Sequence, residues 1–152
     1  MRLSVEKCLK AVDECGAPIV SIPGGEPLLR KDVFEIASYA ASKGLWPVIG
    51  TNGVLITPEL CERMLEAGIR GVALSLDSLD PGTHDRFRRV EGAFDNTVQG
   101  SRVLDEAGVP FIVQTTIGEH NIDELADIAV QFAQRKIPLD VLVIDFYSWS
   151  KF

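Results

Sequence analysis

The 152 residues carry 15 Lys and Arg against 22 Asp and Glu, a net charge of -7, with 46% hydrophobic and 24% charged residues. A chain of this size and composition folds around one core, and its negative charge argues against a general nucleic-acid or anionic-membrane surface. No apolar run approaches the roughly 20 residues that span a bilayer, and Met1-Arg2-Leu3-Ser4 leads into an amphipathic pattern instead of a signal peptide, so a cytoplasmic location is expected. Three cysteines, Cys8, Cys15 and Cys61, are too few and too oddly spaced for a disulfide framework, and read as small apolar side chains of the core.

Ser4, ahead of Val5-Glu6, offers a side-chain oxygen to the free amides of a first helix. A punctuation then recurs four times, in which a helical pattern stops at a glycine and a β-branched apolar run begins. It falls at Gly16 before Ile19-Val20, Gly44 before Trp46 to Ile49, Gly68 before Val72 to Leu74, and Gly108 before Phe111 to Val113. The runs are too short for buried helices and read as buried strands. Thr57 before Pro58 marks another helix start. Helical apolar spacing appears at Val33, Ile36, Ala37 and Ala40, at Leu60, Met64 and Leu65, and at Leu125, Ile128, Ala129 and Phe132. Val141-Leu142-Val143-Ile144 makes a fifth strand.

Apolar strands alternating with helices imply a parallel sheet with right-handed crossovers. The expected class is α/β, a parallel-stranded partial (β/α) barrel of about five strands, forming one domain over residues 1–152. Five strands cannot close an eight-stranded barrel, and no Gly-x-Gly-x-x-Gly turn supports a dinucleotide fold. Strands left unpaired at the two sheet edges invite self-association or pairing with a completing chain.

Ligands of parallel α/β folds sit beyond the carboxyl ends of strands. There the chain carries Gly24-Gly25-Glu26-Pro27, whose paired glycines let backbone approach a ligand and whose carbonyls suit an ammonium group; an ordinary tight turn is the competing reading. The next run ends in Gly50-Thr51-Asn52-Gly53, with small polar groups suited to a ribose, and the third in Ser75-Leu76-Asp77, with Ser75 and Asp77 on one side of the strand. The cluster His84 to Val90 reads either as a solvated helical face or as the source of an arginine for a ligand carboxylate. Thr115 and Asp145 close the remaining strands, and His84 and His120 read as solvated histidines.

The ordered set Gly-Gly-Glu-Pro, Thr-Asn-Gly and Ser-Leu-Asp resembles the radical S-adenosylmethionine superfamily over nearly the whole chain. Residues 72–92 look like the branch with haem-pathway and peptide-maturing members, whereas residues 2–23 are similar to hopanoid-pathway enzymes. The resemblance implies an S-adenosylmethionine site made by Gly24, Gly25, Glu26, Pro27, Thr51, Asn52, Ser75, Asp77, Arg88 and Thr115, with the glycine turn on the methionyl ammonium and Arg88 on the carboxylate. In the family this cofactor meets a 4Fe-4S cluster and yields a 5′-deoxyadenosyl radical. The sequence departs from the family at the cluster loop, Cys-x-x-x-Cys-x-x-Cys, which none of its cysteines matches. The first strand and cluster loop are thus expected outside the chain, no metal ligand is assigned within it, and the chain alone is expected to be inactive. The alternatives are a cluster-free adenosyl- or nucleotide-binding module and a structural barrel fragment. Phe146 to Phe152 does not resemble the family's continuation and reads as a cap or a frayed tail.

Overall fold

A computed structural model describes residues 4–14, 16, 18–22 and 25–143. In chain order these form α1 (Val5–Asp13), β1 (Ile19–Ile22), α2 (Val33–Ser42), β2 (Trp46–Thr51), α3 (Pro58–Glu66), β3 (Gly71–Ser75), α4 (Pro81–Arg88), α5 (Ala93–Glu106), β4 (Phe111–Ile117), α6 (Leu125–Gln134) and β5 (Leu139–Val143). The helix starts follow from local chemistry. Ser4 Oγ accepts from Lys7 N and Thr57 Oγ1 from Leu60 N, with Pro58 in the first turn where its missing N–H costs nothing. Gly44, Gly68 and Gly108 take φ of 77°, 75° and 69°, the left-handed turn that ends α2, α3 and α5.

The strands pair in parallel in the order β1-β2-β3-β4-β5. With the right-handed crossovers that parallel units adopt, this sequential order sets the helices along one face, giving the expected α/β partial barrel. Strand burial alternates accordingly: Ile49 and Thr51, Val72 and Leu74, and Val113, Thr115 and Ile117 are buried, while Val48 and Gly50, Ala73 and Ser75, and Gln114 and Thr116 stay half-buried. The main core joins Ile22, Ile49 and Val72 to Val33, Ile36 and Ala37 of α2, Cys61 and Met64 of α3, and Leu104 of α5. Full burial of side chains such as Met64 or Leu104 contributes about 1.5–3 kcal/mol each. A second cluster sets Val113 and Ile117 against Ile128 and Phe132 of α6.

Several expectations shift. Leu65 is 47% exposed and Ala129 is also exposed; the helices turn Cys61 and Met64, and Ile128 and Phe132, to the sheet instead. β5 begins at Leu139, two residues ahead of the apolar run, because Leu139 and Asp140 continue the register against Val113 and Gln114, and Gln114 Nε2 donates to Asp140 at 3.1 Å. Cys61 is fully buried and Cys8 partly so, as small core side chains. Cys15, Ile144 and Asp145 and the segment 146–152 lie outside the described residues, as does Gly24. No helix among the described residues is long and apolar enough to cross a membrane.

Candidate functional site

Glu26 heads a short 3-10 turn, Pro27–Leu29, and its carboxylate accepts from Leu28 N within that turn. The same carboxylate reaches the end of β2, where it accepts from Thr51 Oγ1 at 2.9 Å and from Asn52 N at 3.0 Å. Thr51 is buried on the helix side of the sheet and its hydroxyl also accepts from Gly53 N. Glu26 and Thr51 therefore lock two strand-end loops together. Gly25 is exposed at φ 37° with open space where a Cβ would lie, Asn52 is half-buried and Pro27 is buried. Asn52 Oδ1 accepts from Val54 N, and its backbone carbonyl accepts from Thr97 Oγ1 on α5 at 2.7 Å.

The loop after β3 carries the densest polar network. Ser75 is half-buried on the sheet face away from the helices. Asp77 is fully buried: Oδ2 accepts from Arg88 Nε at 2.5 Å and Oδ1 from Thr116 N at 3.0 Å. Its own amide donates to His84 Nδ1 at 3.2 Å, and its carbonyl accepts from Asn121 Nδ2. A buried carboxylate is tolerated only when its charge is paired and its lone pairs are filled, and Asp77 meets both conditions. The remaining Arg88 nitrogens have no hydrogen-bond partner among the described residues, and the side chain is 29% exposed. Thr115 is buried and donates to Leu76 O at 2.7 Å, so its hydroxyl joins β4 to the same loop.

Of the two histidines expected in solvent, His84 is fully enclosed and His120 is half-buried. His84, 1% exposed, packs edge-on against Phe94, and burial holds its pKa below the ordinary histidine value despite the nearby carboxylates of Asp77 and Asp85. The reason lies in α4: His84 faces the loop it caps, while Arg86 on the same helix faces solvent. His120 stacks on Phe87 with ring centroids 4.1 Å apart.

Residues outside the recognised strand-end motifs complete the site. Asp85 accepts from Gly92 N and Phe94 N, which lowers its pKa and fixes the corner between α4 and α5. Glu124 accepts from Ser78 Oγ and Leu79 N. Gly100 lets α5 approach the Asn52-Gly53 loop so closely that a Cβ there would lie 2.5 Å from Gly53 O. Only the proximity of Asp85 and His84 to the Ser-Leu-Asp motif hinted at their roles; Glu124, Asn121 and Gly100 act across the fold and had no local signal.

The polar loops gather at the carboxyl ends of β1 to β4 of a parallel α/β partial barrel, a fold shared with solved radical S-adenosylmethionine enzymes. The family model for the Radical SAM superfamily matches residues 1–131, and the chain belongs to this family. It is 42% identical over 126 residues to an AdoMet-dependent heme synthase of Methanosarcina barkeri, covering 81% of this chain and 36% of that protein. It is 29% identical to a PqqA peptide cyclase of Granulibacter bethesdensis, covering 99% of this chain and 41% of that one. Among solved structures, Streptococcus suis SuiB bound to its precursor peptide SuiA superposes with a TM-score of 0.74 at 20% identity, covering 92% of this chain and 32% of SuiB. The structure of anSMEcpe with bound AdoMet gives 0.70 at 16% identity, covering 90% and 40% of the two chains. The chain thus spans about a third of the length of the AdoMet-dependent heme synthases and the Fe-coproporphyrin III synthase it matches.

Proposed function

We propose that this chain is the cofactor-cradling segment of a radical S-adenosylmethionine enzyme and that it holds S-adenosylmethionine at the carboxyl ends of β1 to β4. The observation that carries the reading is Arg88, anchored through Nε to a buried carboxylate with its other donors unpaired among the described residues, which suits a ligand carboxylate. Gly24 and Gly25 would meet the methionyl ammonium through backbone carbonyls, and Asn52 and Ser75 the ribose and methionyl portions. Pro27 shapes the turn, while Glu26, Thr51 and Thr115 hold the loops in place from beneath. When bound beside a reduced cluster, the cofactor supplies one-electron chemistry at a carbon–hydrogen bond of a substrate. This chain's part is to bind, orient and shield it.

The described residues do not fit the 4Fe-4S cluster. Cys61 sits in the core on α3 and Cys8 is partly buried on α1, and no group of three potential ligands gathers among the described residues. We therefore propose that the cluster thiolates come from outside this sequence and that the segment alone does not cleave the cofactor. The edges of β1 and β5, unpaired among the described residues, would offer backbone groups to a completing segment or a second copy.

Titration calorimetry of the chain with S-adenosylmethionine and with S-adenosylhomocysteine tests the reading. Heat from S-adenosylmethionine that disappears in Arg88→Gln is expected; no heat from either compound overturns cofactor binding by this segment. Anaerobic loading with iron and sulfide is expected to give no stable cluster, and reductive cofactor cleavage by the chain would overturn the inactive-segment proposal.

A further inference from the structure

We propose that Asp77 is a positioning residue that aims Arg88 at the cofactor carboxylate and does not itself touch the cofactor. The inference deepens the cofactor reading above and rests on it. Asp77 lies in the loop just past the carboxyl end of β3, among the strand-end residues that suit a ligand, yet it is 0% exposed and each carboxylate oxygen already has a donor. Oδ1 takes the Thr116 amide from β4 and Oδ2 takes Arg88 Nε from α4, so one side chain ties the loop after β3 to a strand and a helix.

The pairing through Nε matters for direction. A guanidinium has five N–H donors in a rigid plane. Fixing the Nε edge against Asp77 orients the plane and leaves four donors on the terminal nitrogens, the set that grips a carboxylate in a forked pair. Without Asp77 the long Arg88 side chain would sample many rotamers and lose that preorganisation on binding. The anchor is in turn held rigid: the Asp77 amide is fixed by His84 and its carbonyl by Asn121, which also donates to Thr116 O at 2.9 Å. Phe87, whose ring lies 5.7 Å from the Arg88 guanidinium carbon, closes one side.

The test compares S-adenosylmethionine with decarboxylated S-adenosylmethionine, which keeps the adenosyl, sulfonium and amine groups. Affinities of wild type, Asp77→Asn, Arg88→Gln and the double variant are measured by NMR titration of the full chain, and the Arg88 Nε–H resonance is followed without ligand. Positioning predicts that each single variant weakens S-adenosylmethionine binding by about tenfold or more, that the double variant is no worse than Arg88→Gln, and that the decarboxylated compound binds all four alike. It also predicts a slowly exchanging Arg88 Nε–H in the ligand-free chain that is lost in Asp77→Asn. Loss of the decarboxylated compound in Asp77→Asn, with additive effects in the double variant, means direct contact and overturns the proposal. An Arg88 Nε–H unaffected by Asp77→Asn overturns it independently of any ligand. If Arg88→Gln binds both compounds as wild type does while that resonance behaves as expected, the carboxylate reading fails instead.

Discussion

Glu26 and Thr51, 25 residues apart in sequence, meet with both carboxylate oxygens 2.9 Å from the threonine hydroxyl. The contact turns two glycine-containing loops into one rigid rim, because Glu26 also takes the amides of Leu28 and Asn52. Replacing Glu26 by Ala leaves the buried Thr51 hydroxyl and the Asn52 amide short of an acceptor, a loss of about 1–3 kcal/mol. Urea unfolding of Glu26→Ala should show this with an unchanged m-value. The variant should also weaken S-adenosylmethionine binding, since the loops it frees carry Gly25 and Asn52.

Gly100 offers a test by overpacking. A methyl group there lands 2.5 Å from Gly53 O, which is backbone and cannot step aside as a side-chain tip would. Gly100→Ala should destabilise the fold by about 1–3 kcal/mol even though alanine is the better helix former. Because Thr97 on the same helix holds the Asn52 carbonyl, amide exchange in residues 51–54 should quicken alongside the drop in denaturation midpoint.

His84 sets a pH dependence whose sign follows from burial. Desolvation lowers its folded pKa below 6.5, against the opposing pull of Asp77 and Asp85 and with help from Arg88. The unfolded chain then binds more protons than the folded one between the depressed value and 6.5, so this contribution to stability is full above pH 6.5 and shrinks as pH falls through that window. His84→Gln, whose amide oxygen can accept the Asp77 N–H, should flatten the slope of stability against pH below 6.5. A slope equal to that of wild type would falsify the assignment of His84 as a buried neutral acceptor.

Cys61 should behave as core. Its thiol is 0% exposed and burial pushes its pKa up, so it is neither a ready thiolate nor an accessible one. Thiol-labelling of the folded chain should leave Cys61 unmodified until denaturant unfolds α3, and labelling at the rate of a free thiol would show that the helix opens under native conditions.

Much of this architecture is legible along the chain because it is written in local chemistry. The helix caps at Ser4 and Thr57, the left-handed glycines at 44, 68 and 108, and the β-branched runs between them act within a few residues of where they stand, so α/β alternation and a parallel sheet follow from them. The strand-end motifs likewise fixed which loops would form the rim. Periodicity was less reliable at the edges of a stripe: Leu65 and Ala129 fit the apolar pattern, yet each helix rotates to bury its neighbours, since packing against a curved sheet selects one narrow face.

What the sequence could not decide is the division of labour among the polar residues it pointed out. Thr51 and Thr115 share the parity of Ile49 and Val113 and turn into the helix layer, and Glu26 turns back onto Thr51; all three hydrogen-bond within the protein. Asp77 is enclosed, Arg88 is half-committed to it, and His84 is drawn out of solvent beneath them both. These outcomes depend on partners 7 to 44 residues away, brought together only when β1 pairs with β2, β3 pairs with β4 and α4 folds over the strand ends. A buried charge must find its counter-charge in three dimensions, and which arginine or amide supplies it is settled by the tertiary fold.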